Sequence, residues 1–359
     1  MKKIFFAMLA NILLAFILAG CGARAPARQA EDMKHVAVIT NVVGVNPFLT
    51  QIVDKMAEIY ASGRFPMEYS IIECTDIPAF GENIRASVEE GFDLIISVGF
   101  QGADAIAEVS AMFPDRAQYV IIDAIANSPH VKSISFRPQE ASYLIGIIAA
   151  SVARDMGRPR GPHGGIHAMP GQGGFESRFG FMEGVKRVIP EVTNADFIFN
   201  FTRSFSDAPL AKELALQQAA QGMVFINAAS AVADFGTFEA ALERGFFTSG
   251  QDADRTTPDN PFILSTSVKY TDAVTEMVIE EFFSTGIQPG TVRLGLAEGG
   301  NGATHITSRG NFRNYEVLTD AIIAEARRGA DDIIAGKVVL FPVPLEADYM
   351  AGNWVMPRN

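Results

Sequence analysis

Thiols, imidazoles and charged side chains are all scarce in this chain, and each shortage removes a class of function. Only 2 cysteines occur in 359 residues, and one of them, Cys21, lies in the amino-terminal segment. The rest of the chain therefore has neither an internal disulfide nor a thiolate metal site, and Cys74, closing an apolar run, is expected to be buried as a small hydrophobe. The 5 histidines are scattered; His163 and His167 fall on a segment predicted as a strand, where they share no helical face, and all five are expected at the surface or in loops. Charged residues make up 19% of the chain and the formal charge is −12. Lys2 and Lys3 belong to the amino-terminal segment, so the remainder is more acidic still, which speaks against nucleic acid and against a polybasic membrane patch.

Catalytic motifs are missing too. There is no GxSxG, no HExxH and no GxxxxGK[ST], and Gly171 to Glu176 lacks the third glycine of a dinucleotide fingerprint. The run from Asp252 begins like a calcium loop, then carries Thr257 at the turn glycine and Ile263 at the closing carboxylate. The sequence thus yields no catalytic residue, no metal site and no cofactor.

One long apolar run exists, from Ile4 to Leu18 behind Lys2 and Lys3, followed by Leu18-Ala19-Gly20-Cys21. A short apolar run with small residues at its end describes a secretory signal, and a cysteine at the processing position resembles the bacterial lipobox. Residues 1–20 are read as a signal peptide and Cys21 as a lipidated amino terminus. Residues 21–34 are small, polar and Pro-containing, as suits a flexible tether. No second segment approaches membrane length.

From His35 onward, short β-branched runs alternate with amphipathic stretches of helical period, the pattern of parallel βαβ units. A first series extends to the helix predicted from Gln139, and the break Gly157-Arg158-Pro159-Arg160-Gly161-Pro162 precedes a second of similar size. The second series includes a strand predicted at Gly222–Ile226. The last segment, with a helix predicted near Tyr315–Arg328 and a final strand at Val338–Phe341, returns to lobes already built. The fold class is α/β: two doubly wound parallel-sheet lobes joined by hinge strands, with a cleft between them.

Polar or aromatic residues recur just past the apolar strands. Asn41 and Phe48 follow the first, Gly99-Phe100-Gln101 the third, and Asp123 ends the fourth. In the second half come Met169 to Phe175, then Phe205, then Ala228-Ala229-Ser230-Ala231, then Asp252 and Asp254, and finally Lys269. Carboxyl ends of parallel strands share one edge, so these residues converge on the cleft. Rings that sandwich a flat molecule, acids that accept from hydroxyls and a single lysine suit a small polyhydroxylated or heterocyclic ligand. Each residue also has a plainer structural role open to it: Phe48 as a plug under its helix, Asp252 or Asp254 as a turn cap, Lys269 in a surface ion pair.

The segments VITNVVGVNPFLTQ, IISVGFQGADAIAEVSAMFPDRAQYVIIDA, RSFSDAPLAKELA, FINAASAVADFGTFEAALERG and GQDADRTTPDNPFILSTSVKYTDAV, with the lipobox, resemble the basic membrane protein family of bacterial lipoproteins. These are substrate-binding components of nucleoside ABC transporters. The resemblance implies a type I periplasmic-binding-protein fold, lipid anchorage on the extracytoplasmic side, a membrane permease as partner, and a purine nucleoside as the favoured ligand. It assigns base stacking to Phe48 and Phe205, and ligand hydrogen bonding to Asp123, Asp252 and Lys269, with Asp254 competing for the role of Asp252. It places lobe 1 at 35–136 plus about 268–297, lobe 2 at 137–267 plus about 303–341, and a tail at 342–359. The chain departs from the family pattern at Asn41, an aspartate there, at Leu49, where a base-directed asparagine is expected, and at Ser230 and Ala231, which replace paired glycines. A sensory binding module of the same fold is the alternative function.

Overall fold

The structure, a computed structural model, describes residues 33–159 and 162–354; the expected signal peptide, Cys21, most of the tether and residues 355–359 lie outside the described residues. The first lobe runs β1 (Lys34–Asn41), α1 (Pro47–Ser62), β2 (Met67–Cys74), α2 (Ile77–Glu89), β3 (Leu94–Val98), α3 (Ala103–Met112), β4 (Gln118–Ile122) and β5 (Val131–Phe136). Its start shows how local chemistry sets the boundaries. Asn46 caps α1 by accepting from Phe48 N at 3.1 Å, Pro47 occupies the first turn, and Gly63 ends the helix in the left-handed region at φ 65. A cap of this kind satisfies amides that the first turn leaves without partners.

The chain then enters the second lobe through α4 (Pro138–Asp155), followed by β6 (His163–His167), α5 (Gln172–Val188), β7 (Phe197–Phe201), α6 (Ala208–Ala220), β8 (Phe225–Ala229), α7 (Asp234–Arg244), β9 (Phe247–Asp252) and β10 (Ile263–Lys269). It returns to the first lobe for α8 (Thr271–Ser284) and β11 (Gly290–Leu294). It crosses once more for β12 (Asn301–Ala303), α9 (Asp320–Ile334) and α10 (Glu346–Met350). The lobes are thus linked after β5, after β10 and after β11, and the cleft lies between them.

Each lobe holds one 6-stranded sheet, ordered β11-β5-β4-β3-β1-β2 and β12-β10-β9-β8-β6-β7. Every pairing is parallel except β10 with β12. Central strands are buried on both faces, as Val36, Val38, Ile95 and Val120 show at 0% exposure, which is what a parallel sheet covered by helices requires. Helix α4 is buried from Gln139 to Ala153 and packs on α5 at backbone distance. A Cβ on Gly146 would lie 2.2 Å from Phe181 O, and one on Gly184 would lie 2.1 Å from Tyr143 O, so only glycine permits this approach.

Several expectations are corrected. The strand predicted at Gly222–Ile226 is Phe225–Ala229, because Gly222 continues the turn that ends α6. Residues 338–341 form no strand; Leu340 is buried against the second lobe, and its carbonyl accepts from Gln139. The helix predicted near Tyr315–Arg328 begins only at Asp320, where the Thr319 side chain caps Ile322 N. The expected tail is built into the fold: Tyr349 is 2% exposed and packs with Trp354 on Phe175 and Phe179. Nor are all the histidines peripheral. His163 and His167 are each 2% exposed, because their strand lies inside the sheet, between β7 and β8. Cys74 is buried as expected. Among the described residues no helix is long and apolar enough to cross a membrane.

Candidate functional site

A cavity of about 500 Å³ lies between the lobes, walled by Phe100, Asp123, Phe136 and Arg293 from the first and by Met169, Glu176, Phe205 and Lys269 from the second. The strand ends supply most of it. Asp123, in the wall, follows β4 at φ 64; Ala231 after β8 at φ 56 and Asp252 at the end of β9 at φ 71 sit just outside the wall, and all three occupy the left-handed region that non-glycine residues rarely adopt. Backbone of this kind is stored where surrounding structure imposes it, and it clusters at ligand sites.

Lys269, at the end of β10, crosses the cleft to Asp123. Its Nζ donates to both carboxylate oxygens at 2.9 and 2.8 Å, and lies 5.3 Å from the Phe48 ring centroid and 5.5 Å from that of Phe136. Burial alone would lower the Lys269 pKa; Asp123 and Asp252 more than offset it, and the ammonium is held above its ordinary value. Asp252 is buried, and its carboxyl is pushed up by that burial against the pull of Lys269. The Asp252 Oδ1 has no hydrogen-bond partner, an exception that a buried carboxylate rarely tolerates unless something else reaches it. Its carbonyl accepts from Gln51 Nε2 of the first lobe at 3.3 Å.

The other predicted residues take different places. Phe205 is 42% exposed on the cavity wall. Phe48 is 8% exposed in the core of the first lobe and reaches the site only beneath Lys269; Phe100 and Phe136 stand in the wall instead. Leu49 is likewise core, at 3%. Asn41 ends β1 in register with Cys74 and does not line the cavity. The Ser230 hydroxyl turns back to Ile166 O at 3.3 Å while its amide donates to Asp234 at 2.7 Å. Neither Ser230 nor Ala231 lines the cavity; their neighbour Ala229 does. Asp254 clamps a loop, accepting from Thr256 N at 3.0 Å, Thr256 Oγ1 at 2.8 Å and Asn311 N at 2.6 Å.

The wall also holds His167, expected at the surface or in a loop, and it is backed by residues the sequence did not single out. His167 Nε2 lies 2.8 Å from Asn227 Oδ1, while Asn227 Nδ2 donates to Ser249 Oγ at 2.9 Å. Burial, reinforced by Arg178, drives the His167 pKa down to about 3. Arg178, 2% exposed, donates to Met169 O at 3.1 Å and Gly171 O at 3.2 Å, fixing the loop that carries Met169, and is held in turn by Glu346 at 2.7 Å. Gln172 adds a second tie to the same downstream segment, donating to Pro344 O at 3.0 Å and accepting from Glu346 N at 2.8 Å. The available signals were modest: Phe136 closes an apolar strand at the correct edge, and Arg293 interrupts another.

Among the described residues no group of three or more His, Cys, Asp or Glu side chains could hold a metal ion. The arrangement offers rings, a cation and acids without a nucleophile activated by a base, which suits binding rather than chemistry.

The chain is 28% identical to basic membrane protein B of Borreliella burgdorferi over 65% of this chain and 68% of that one. It is 24% identical to an uncharacterized lipoprotein of Pyrococcus abyssi, over 84% of this chain and 77% of the relative. The crystal structure of an ABC transporter solute-binding protein from Aeropyrum pernix K1 superposes with a TM-score of 0.73 at 22% identity, covering 89% of this chain and 96% of that one, a likeness of fold. Residues 79–339 match the family described as ABC transporter substrate-binding protein, PnrA-like. The chain belongs to this Bmp family, whose members are substrate-binding proteins of ABC transport and not enzymes.

Proposed function

We propose that this protein captures a nucleoside, with purine nucleosides favoured, in the cleft between its lobes and delivers it to an ABC permease. Lipid on Cys21 holds it at the extracytoplasmic face of the membrane, a reading supported by the lipobox and by a relative described as a lipoprotein. The observation that carries the ligand is the coexistence in one cavity of a hydroxyl-binding pole, Asp123 and Lys269 with Asp252 behind, and the exposed side chain of Phe205. Acids and an ammonium exchange hydrogen bonds with a sugar edge, and the ring covers a flat base. The positive donors are too few, and too closely matched by acids, for a phosphorylated ligand.

Titration calorimetry with a panel of nucleosides and free bases tests this. At least one purine nucleoside is expected to bind at micromolar concentration or tighter, and Phe205→Ala to weaken it by about 0.5–1.5 kcal/mol beyond the lost area. Absence of binding by every nucleoside would overturn the ligand while leaving the family intact.

A further inference from the structure

The cavity contains a second polar pair that the hydroxyl pole does not use. Glu176 lies in the opening turns of α5 on the second lobe, and Arg293 lies near the end of β11 on the first. Both line the cavity, and their nearest nitrogen and oxygen are 3.9 Å apart. That separation allows attraction but exceeds a hydrogen bond, so the carboxylate and the guanidinium do not saturate each other. No other hydrogen bond to either side chain occurs among the described residues. The Phe341 ring, 5.2 Å from the guanidinium carbon, covers one side of Arg293. Burial raises the Glu176 pKa, against Arg293 and Lys269. Its coupling to Lys269 and Asp123 places both poles in one chamber.

We infer that Glu176 and Arg293 together read the edge of the ligand's ring, requiring a hydrogen-bond donor and an acceptor side by side on it. The inference rests on the nucleoside reading and adds a specificity element to it. A matched acid and base suit a neutral edge, since an anion or a cation there would satisfy one partner and oppose the other. The arginine donates to the ring's acceptor and the glutamate accepts from its donor, each a charge-assisted bond. The two side chains come from opposite lobes, so a ring that engages both also draws the lobes together.

The test compares inosine and adenosine, which carry adjacent donor and acceptor atoms, with purine riboside, which lacks the six-substituent. Calorimetry is run on the wild-type chain and on two conservative variants, Glu176→Gln and Arg293→Lys, whose folding is checked by circular dichroism. For the wild type, purine riboside is expected to bind about tenfold or more weaker than the better of the other two, and each variant should shrink that gap. Equal binding of all three by the wild type, or a gap that neither variant narrows, would overturn the edge assignment alone. If no nucleoside binds at all, the parent reading falls and this one with it.

Discussion

Lys269 and Asp123 stand 146 positions apart and on opposite lobes, yet the ammonium is bonded to both oxygens of the carboxylate, at 2.9 and 2.8 Å. The pair spans the cleft at the edge where parallel strands end, which is where the topology directs a ligand. Its two side chains are 16% and 28% exposed. In such a setting, stranding one partner costs far more than exposed ion pairs usually contribute.

Replacing Lys269 with methionine keeps its bulk, strands Asp123 without its bonded cation and leaves the buried Asp252 with Arg255 alone. Global stability is expected to fall by about 3 kcal/mol, read from urea unfolding at neutral pH, and ligand binding to be lost. Wild-type stability in this variant would mean that the pair contributes nothing to the folded state.

Ala231 occupies the left-handed region at φ 56, where a Cβ is costly and glycine is not. Ala231→Gly should raise stability by about 0.5–1 kcal/mol, the relief of strain exceeding the added freedom of the unfolded chain. A lower unfolding midpoint would show that the methyl group contributes more by packing than it costs in backbone strain.

The ring of His167 stays neutral in the folded chain down to about pH 3, whereas unfolded it takes up a proton near 6.5. Between those values the unfolded state binds the extra proton, so this residue's contribution to stability is complete above pH 6.5 and is lost as the pH falls towards 3. The full loss is on the order of 5 kcal/mol. Burial raises the carboxyls of Asp234 and Asp252, which act in the opposite sense. A comparison with His167→Gln, which can still hydrogen-bond Asn227, therefore isolates the histidine. The variant should show a flatter loss of stability on acidification; parallel curves would place the titration elsewhere.

The architecture was legible because parallel sheets buried on both faces leave nearly continuous apolar runs, and the polar residues just beyond those runs mark one edge. Asp123, Phe205 and Lys269 follow directly from that rule, and all three meet in the cavity. Phe48 obeys the same positional rule but misses the wall, since the first turn of α1 rolls its ring inward onto the core of the first lobe. Asp254 illustrates another limit. Two residues beyond a strand end, a carboxylate satisfies its own loop as readily as a ligand, and sequence spacing does not separate the two. Glu176 and Arg293 escaped notice because each matters only through the other, 117 positions away and across a passage from the second lobe to the first that is a property of the folded chain.

Arg178 donates to Glu346, and Gln172 donates to Pro344 O and accepts from Glu346 N, so the loop bearing Met169 is fastened by residues downstream of the last described strand. One bank of the chamber is consequently set by residues that lie past both sheets, so an exchange at Glu346 would reach the cavity through Arg178 and Gln172 without touching its wall.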